Sequence, residues 1–79
     1  MNYEKWMKEA IDNINQKVKT NQNFELKDLF EGCKWEKLTK GERINFGKFF
    51  ANEVRENNVI GVVRIERAKN NHSKYTKIL

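Results

Sequence analysis

The sequence predicts an α+β fold in one domain spanning residues 1–79, and three observations carry that expectation. Apolar residues recur at helical spacing from Tyr3 to Val18, and a capping-box pair, Thr39 and Glu42, opens a second amphipathic stretch. After Asn58 the composition turns abruptly to β-branched residues. A chain of 79 residues has room for a single modest core and no second lobe. At 38% hydrophobic and 34% charged it is polar, yet five Phe, two Trp and two Tyr argue against disorder.

Each element follows in chain order. Tyr3, Trp6, Met7, Ala10, Ile11, Ile14 and Val18 are separated mostly by three or four residues, which places them on one stripe of a helix. Residues 20–23, Thr-Asn-Gln-Asn, end the periodicity with a turn-prone polar cluster. Phe24-Glu25-Leu26 alternates as a short edge strand does, although a single helical turn with no strand fits the same residues. Residues 27–32 supply one or two helical turns, with Gly32 in the place of a C-terminal cap.

The third helix is expected from Lys40 to about Asn57. Advancing about 100° per residue, Phe46, Arg43, Val54, Gly47, Ala51 and Ile44 share one arc with Phe50 between them. Asn45, Lys48, Asn52, Arg55 and Glu56 lie opposite, and Phe49 sits at the margin. Val59, Ile60, Val62, Val63 and Ile65 then form a strand, and residues 75–79 a second, joined by a polar, asparagine-rich tip into a hairpin. This is the segment order of a winged helix-turn-helix: three helices plus a C-terminal two-stranded β-hairpin wing, with residues 27–57 as the two-helix motif and 59–79 as the wing. A plain three-helix bundle carrying a C-terminal hairpin is the alternative.

Two residues on the third helix look out of place. Gly47 is mid-helix, where glycine costs about 1 kcal/mol relative to alanine, so it predicts either close approach of another helix or a position that accepts a partner. Arg43 on the apolar arc requires pairing, because a buried lone charge is expensive. Asp28 is the first candidate for a structural ion pair and Glu36 the second; binding phosphate or a protein partner is the alternative role.

Several function classes are disfavoured. Cys33 is the sole cysteine and His72 the sole histidine, so neither an internal disulfide nor a zinc site of Cys and His can form, and no metal or other cofactor is expected. Carboxylates alternate with lysines in the manner of solvated helix faces, and no catalytic constellation emerges, so a non-enzymatic role is expected. The longest apolar run, Val59 to Val63, is far short of a membrane span, and the acid-containing start is unlike a signal or transit peptide, so a cytoplasmic protein is expected.

The net charge of +5 is concentrated in the wing, where residues 59–79 carry five basic groups and one acid. Arg64, Arg67, Lys69, Lys74 and Lys77, with Asn70, Asn71 and His72 among them, form a tip able to bond phosphate oxygens. Five phosphate contacts imply a log-log salt slope near roughly −4.5, on the order of 500-fold in affinity between 50 and 200 mM salt. On the third helix Asn45, Lys48, Asn52 and Arg55 recur as side chains entering a major groove do, whereas Glu42, Glu53 and Glu56 have the wrong sign for phosphate. The bland alternative is that edge lysines merely prevent sheet-to-sheet aggregation.

Leu26, Lys27, Asp28, Leu29 and Phe30, then Trp35, Gly41, Arg43, Gly47 and Phe50, make a pattern that resembles a family of small bacterial proteins known as domain of unknown function, number fourteen-thirteen. The resemblance implies a phage or mobile-element setting, and for some relatives partnership with a family A DNA polymerase in priming replication. It implies DNA, single- or double-stranded, held by the wing, and a protein partner met by the first helix, Trp35 and Phe49. It transfers no catalytic residue. The expected function is therefore a DNA-binding replication accessory; the alternatives are a protein-interaction module, an inhibitor of a CRISPR-type host defence enzyme, or a transcriptional regulator.

Overall fold

The computed structural model describes residues 2–65 and 74–79. Helix α1, Tyr3–Lys17, starts at Asn2, whose side-chain oxygen accepts the Lys5 amide at 3.1 Å. It buries Met7, Ala10 and Ile14, the stripe that the spacing predicts. Strand β1, Asn23–Phe24, leads into a 3₁₀ turn, Leu26–Leu29, in which the Asp28 carboxylate accepts the Glu25 amide at 2.9 Å. Helices α2, Gly32–Glu36, and α3, Lys40–Arg55, follow, then strands β2, Val62–Ile65, and β3, Lys74–Lys77.

The strands form a three-stranded antiparallel sheet of order β1-β3-β2, with Phe24 and Arg64 both opposite Tyr75. The fold is thus α+β, and the hairpin is not an isolated two-stranded ribbon. β1 adds to the far edge of β3, where the Thr76 hydroxyl donates to the Asn23 side-chain oxygen at 2.6 Å.

Three boundaries on this stretch differ from the sequence expectation for local reasons. Gly32 opens α2 instead of closing the preceding turn, because the 3₁₀ segment already ends at Leu29. The helix α3 ends at Arg55, and Asn57 adopts the left-handed region at φ 61°, with its amide on the Val54 carbonyl and the Asn58 amide on the Glu53 carbonyl. Those two bonds satisfy carbonyls that the helix end would otherwise leave open. A further turn at Gly61, φ 83°, delays the strand to Val62, so Val59 is buried in the approach to it while Ile60 is exposed.

Phe46 and Phe50 on α3 are fully buried and join the two halves of the core. Phe46 packs against Tyr3, Trp6 and Phe30, with ring centroids 6.1–6.2 Å away. Phe50 meets Tyr75 edge-on at 4.9 Å, and Tyr75 stacks on Phe24 at 5.8 Å. The Lys77 ammonium donates to the Ile14 and Val18 carbonyls at 3.2 and 2.8 Å, so it closes the C-terminus of α1 against β3.

Thr39 and Glu42 form the expected capping box: the Thr39 hydroxyl accepts the Glu42 amide at 3.1 Å and the Glu42 carboxylate accepts the Thr39 amide at 2.9 Å. The bond from the Thr39 amide holds the Glu42 carboxyl below its ordinary 4.5. A depressed folded-state pKa adds stability above the unfolded value, lost as pH falls through the folded one. Urea titrations at several pH values are therefore expected to find Glu42→Gln less stable than the parent at neutral pH, with the gap closing as pH drops below 4.5.

At Gly61 a Cβ would lie 3.0 Å from the Leu79 side chain, in a backbone region that side chains rarely adopt. Gly61→Ala is expected to lower stability by about 1–2 kcal/mol, read from the urea midpoint, and Leu79→Gly in the same chain, which removes the Leu79 Cβ as well as the rest of its side chain, to recover only the steric part. Full recovery would mean that the backbone angle carries no strain.

Candidate nucleic-acid interface

Orientation of α3 decides which of its side chains are available. Phe46, Phe50 and Val54 form its buried stripe. Ile44, Gly47 and Ala51, placed on the same arc by the sequence, lie to one side of that stripe and line an open groove of about 1200 Å³. The arc is therefore wider than the core, and part of it is groove wall. The opposite wall is Val62, Val63 and Arg64 of β2, and Leu26, Trp35 and Tyr75 also contribute to the lining.

Gly47 does not receive a crossing helix. A Cβ built there meets nothing within 4 Å, so the missing side chain leaves space in the groove. Arg43 is likewise not a buried charge: it is half-exposed and lines the groove. The expected Arg43–Asp28 ion pair is absent from those among the described residues, and the Asp28 carboxylate serves the Glu25 amide instead.

The lining is strongly cationic. Among the described residues, Lys27, Lys40, Arg43, Lys48, Arg55 and Arg64 face a single carboxylate, Glu25, which lies 3.7 Å from the Lys27 ammonium. The acids that weighed against phosphate contact do not line the groove and have partners of their own, although the partner of Glu56 is the groove's Arg55. Glu42 belongs to the capping box, and Glu53 accepts the Asn58 side-chain amide at 2.8 Å. Glu56 lies 3.8 Å from the Arg55 Nε, and Arg55 also donates to the Asn52 side-chain oxygen, which orients the guanidinium at the end of the groove.

Four residues expected to contact nucleic acid therefore meet in one place: Lys48, Asn52, Arg55 and Arg64. Asn45 is exposed on α3 but does not line the groove, Lys74 starts β3 outside it, and Lys77 is engaged at the end of α1. Arg67, Lys69 and Asn70, with Asn71 and His72, lie outside the described residues. Lys27 and Lys40, not assigned to a nucleic-acid site from the sequence, complete the cationic lining with Arg43, for which phosphate binding was the alternative role. A basic residue one turn before each of Ile44 and Gly47 was the available signal.

The two aromatics expected to meet a partner also pack against the core, and each keeps part of its surface exposed. Trp35 stacks on Phe30 at 5.8 Å with planes 8° apart, and keeps an edge in the groove. Phe49 stacks on Tyr3 at 5.2 Å and lies on the other side of α3, between that helix and α1. Lys34 ties α2 to α1 by pairing with Glu9 and sitting 5.2 Å over the Trp6 ring, which fixes the segment that carries Trp35.

Among the described residues no group of His, Cys, Asp and Glu could hold a metal ion, and no helix is long and apolar enough to cross a membrane. The family model described as Domain of unknown function (DUF1413) matches residues 8–77, so the chain belongs to that family. No curated protein and no solved structure matches it.

Proposed function

We propose that this DUF1413 member is a winged-helix protein that holds single-stranded nucleic acid in the groove between α3 and β2. The observation that carries the reading is the composition of that groove: six cations, an apolar floor and the edge of Trp35 in one concave surface. Single-strand sites combine a positive track for the backbone with aromatic and apolar surface for unstacked bases. A duplex presents a convex phosphate surface that would bridge the rim and leave the floor unused. The volume, about 1200 Å³, also exceeds the roughly 300–1,000 Å³ of small-molecule sites, which favours a polymer.

The winged-helix reading rests on element order and sheet order together: helix, strand, two helices, then a hairpin whose second strand takes the centre of the sheet. Within this proposal the protein acts by holding a strand, without catalysis, in the cytoplasm. Its setting is the one implied by the resemblance, replication or priming beside a DNA polymerase on a mobile element. A pull-down with the polymerase encoded nearest to the gene tests that setting separately from strand binding.

Fluorescence anisotropy with an oligo-dT strand and a duplex of equal length tests the central reading. Affinity for the strand is expected to exceed that for the duplex, with a salt slope near roughly −4 if all six groove cations meet phosphate. Arg43→Ala and Lys48→Ala are each expected to reduce the slope by about 0.7. A salt-independent affinity, or an unchanged slope in both variants, would remove the groove from the account.

Gly47 separates binding from stability. Gly47→Ala adds a methyl in open space and is expected to raise stability by about 1 kcal/mol with little effect on binding. Gly47→Phe is expected to keep the fold and lower strand affinity at least ten-fold by filling the groove. Undiminished binding by the Phe variant would place the strand elsewhere.

A further inference from the structure

We infer that the depression between α1 and α3 is a docking surface for a cationic amphipathic helix of a partner protein. Its floor is Met7, Ile11 and Phe49, and its volume is about 440 Å³. Around the floor stand the carboxylates of Glu4, Asp12 and Glu53 with one ammonium, Lys8. In a chain of net charge +5, this surface carries the opposite sign.

Helix geometry makes the depression directional. Glu4, Lys8 and Asp12 are spaced by four on α1, as are Met7 and Ile11, so a polar row and an apolar row run side by side along about 12 Å of helix axis. On α3 Phe49 and Glu53, also four residues apart, add one apolar and one acidic residue along the facing side. A helix that presents apolar anchors one turn apart, flanked by Lys or Arg, matches both rows: its anchors cover the floor and its cations meet the carboxylates. Phosphate is disfavoured there by the three carboxylates.

The surface does not depend on the nucleic-acid reading and does not compete with it. At about 100° per residue, Phe49 and Glu53 lie roughly opposite Gly47 and Ala51 around α3, so a helix on one side leaves the groove on the other side open.

A fluorescein-labelled synthetic helix with leucines at helical spacing and lysines beside them is the probe, with the same peptide carrying glutamine for lysine as its control, because a glutamate peptide would be drawn to the cationic groove. A protein of net charge +5 repels a lysine peptide in general, so capture reports a local surface. The lysine peptide is expected to bind the full chain at least ten-fold tighter than the glutamine peptide. Glu4→Lys combined with Asp12→Lys is expected to abolish that preference in a chain that still unfolds cooperatively, its thermal midpoint lowered by a few degrees because a cation then stands at the start of α1 and lysines follow one another at four-residue spacing. Phe49→Ala tests the apolar floor, with its stability measured in parallel because Phe49 also packs on Tyr3. Equal binding of the two peptides, or a preference that survives charge reversal in a folded variant, would overturn the inference.

Discussion

The contact on which the rest of the structure depends is that of Phe46 and Phe50, four residues apart on α3 and both without exposure. Phe46 gathers the rings of α1 and of the segment before α2, while Phe50 gathers Tyr75 and, through it, Phe24. A helical turn thus links the helical half of the molecule to its sheet. Replacing a buried Phe by Ala typically costs about 3–5 kcal/mol, against total stabilities of about 5–15 kcal/mol for native proteins. Neither ring has a substitute, because so small a domain contains no second core.

That anchoring has a consequence for what α3 can do. With Phe46, Phe50 and Val54 fixed inward, the flanks of the helix are assigned: Gly47 and Ala51 to the groove beside β2, Phe49 and Glu53 to the depression beside α1. The two surfaces differ in sign, because lysines and arginines line the first and carboxylates predominate around the second. Capping reinforces the arrangement at both ends, through the Thr39–Glu42 box at the start and left-handed Asn57 at the finish. The helix therefore serves as a rigid divider between two chemically distinct faces.

What the sequence revealed was what depends on neighbours along the chain. The stripe of α1, the capping box and the switch to β-branched strands are local patterns, and each corresponds to an element at about the expected place. The pairing of β1 with β3 is set across more than fifty residues, and no periodicity in two residues of strand encodes it. Gly47 left two readings open for a related reason, and only the crossing helix is overturned. Glycine in a helix signals that a side chain is unwanted, but only the position of β2 shows whether backbone or open space occupies that side. Lys77 looked like another wing cation until the end of α1 was found beneath it. Arg43, projected between Phe50 and Val54 on the helix, proved half-exposed because it stands in the first turn of α3, ahead of Phe46, the first residue of that helix to be buried.

The most direct measurement for the account is a two-dimensional ¹H–¹⁵N NMR titration of the full chain with oligo-dT. The account places the amide shifts along the groove side of α3, from Lys40 to Arg55, and on β2, with α1 unmoved. Shifts concentrated on α1 and around Phe49, with the groove amides silent, would contradict it.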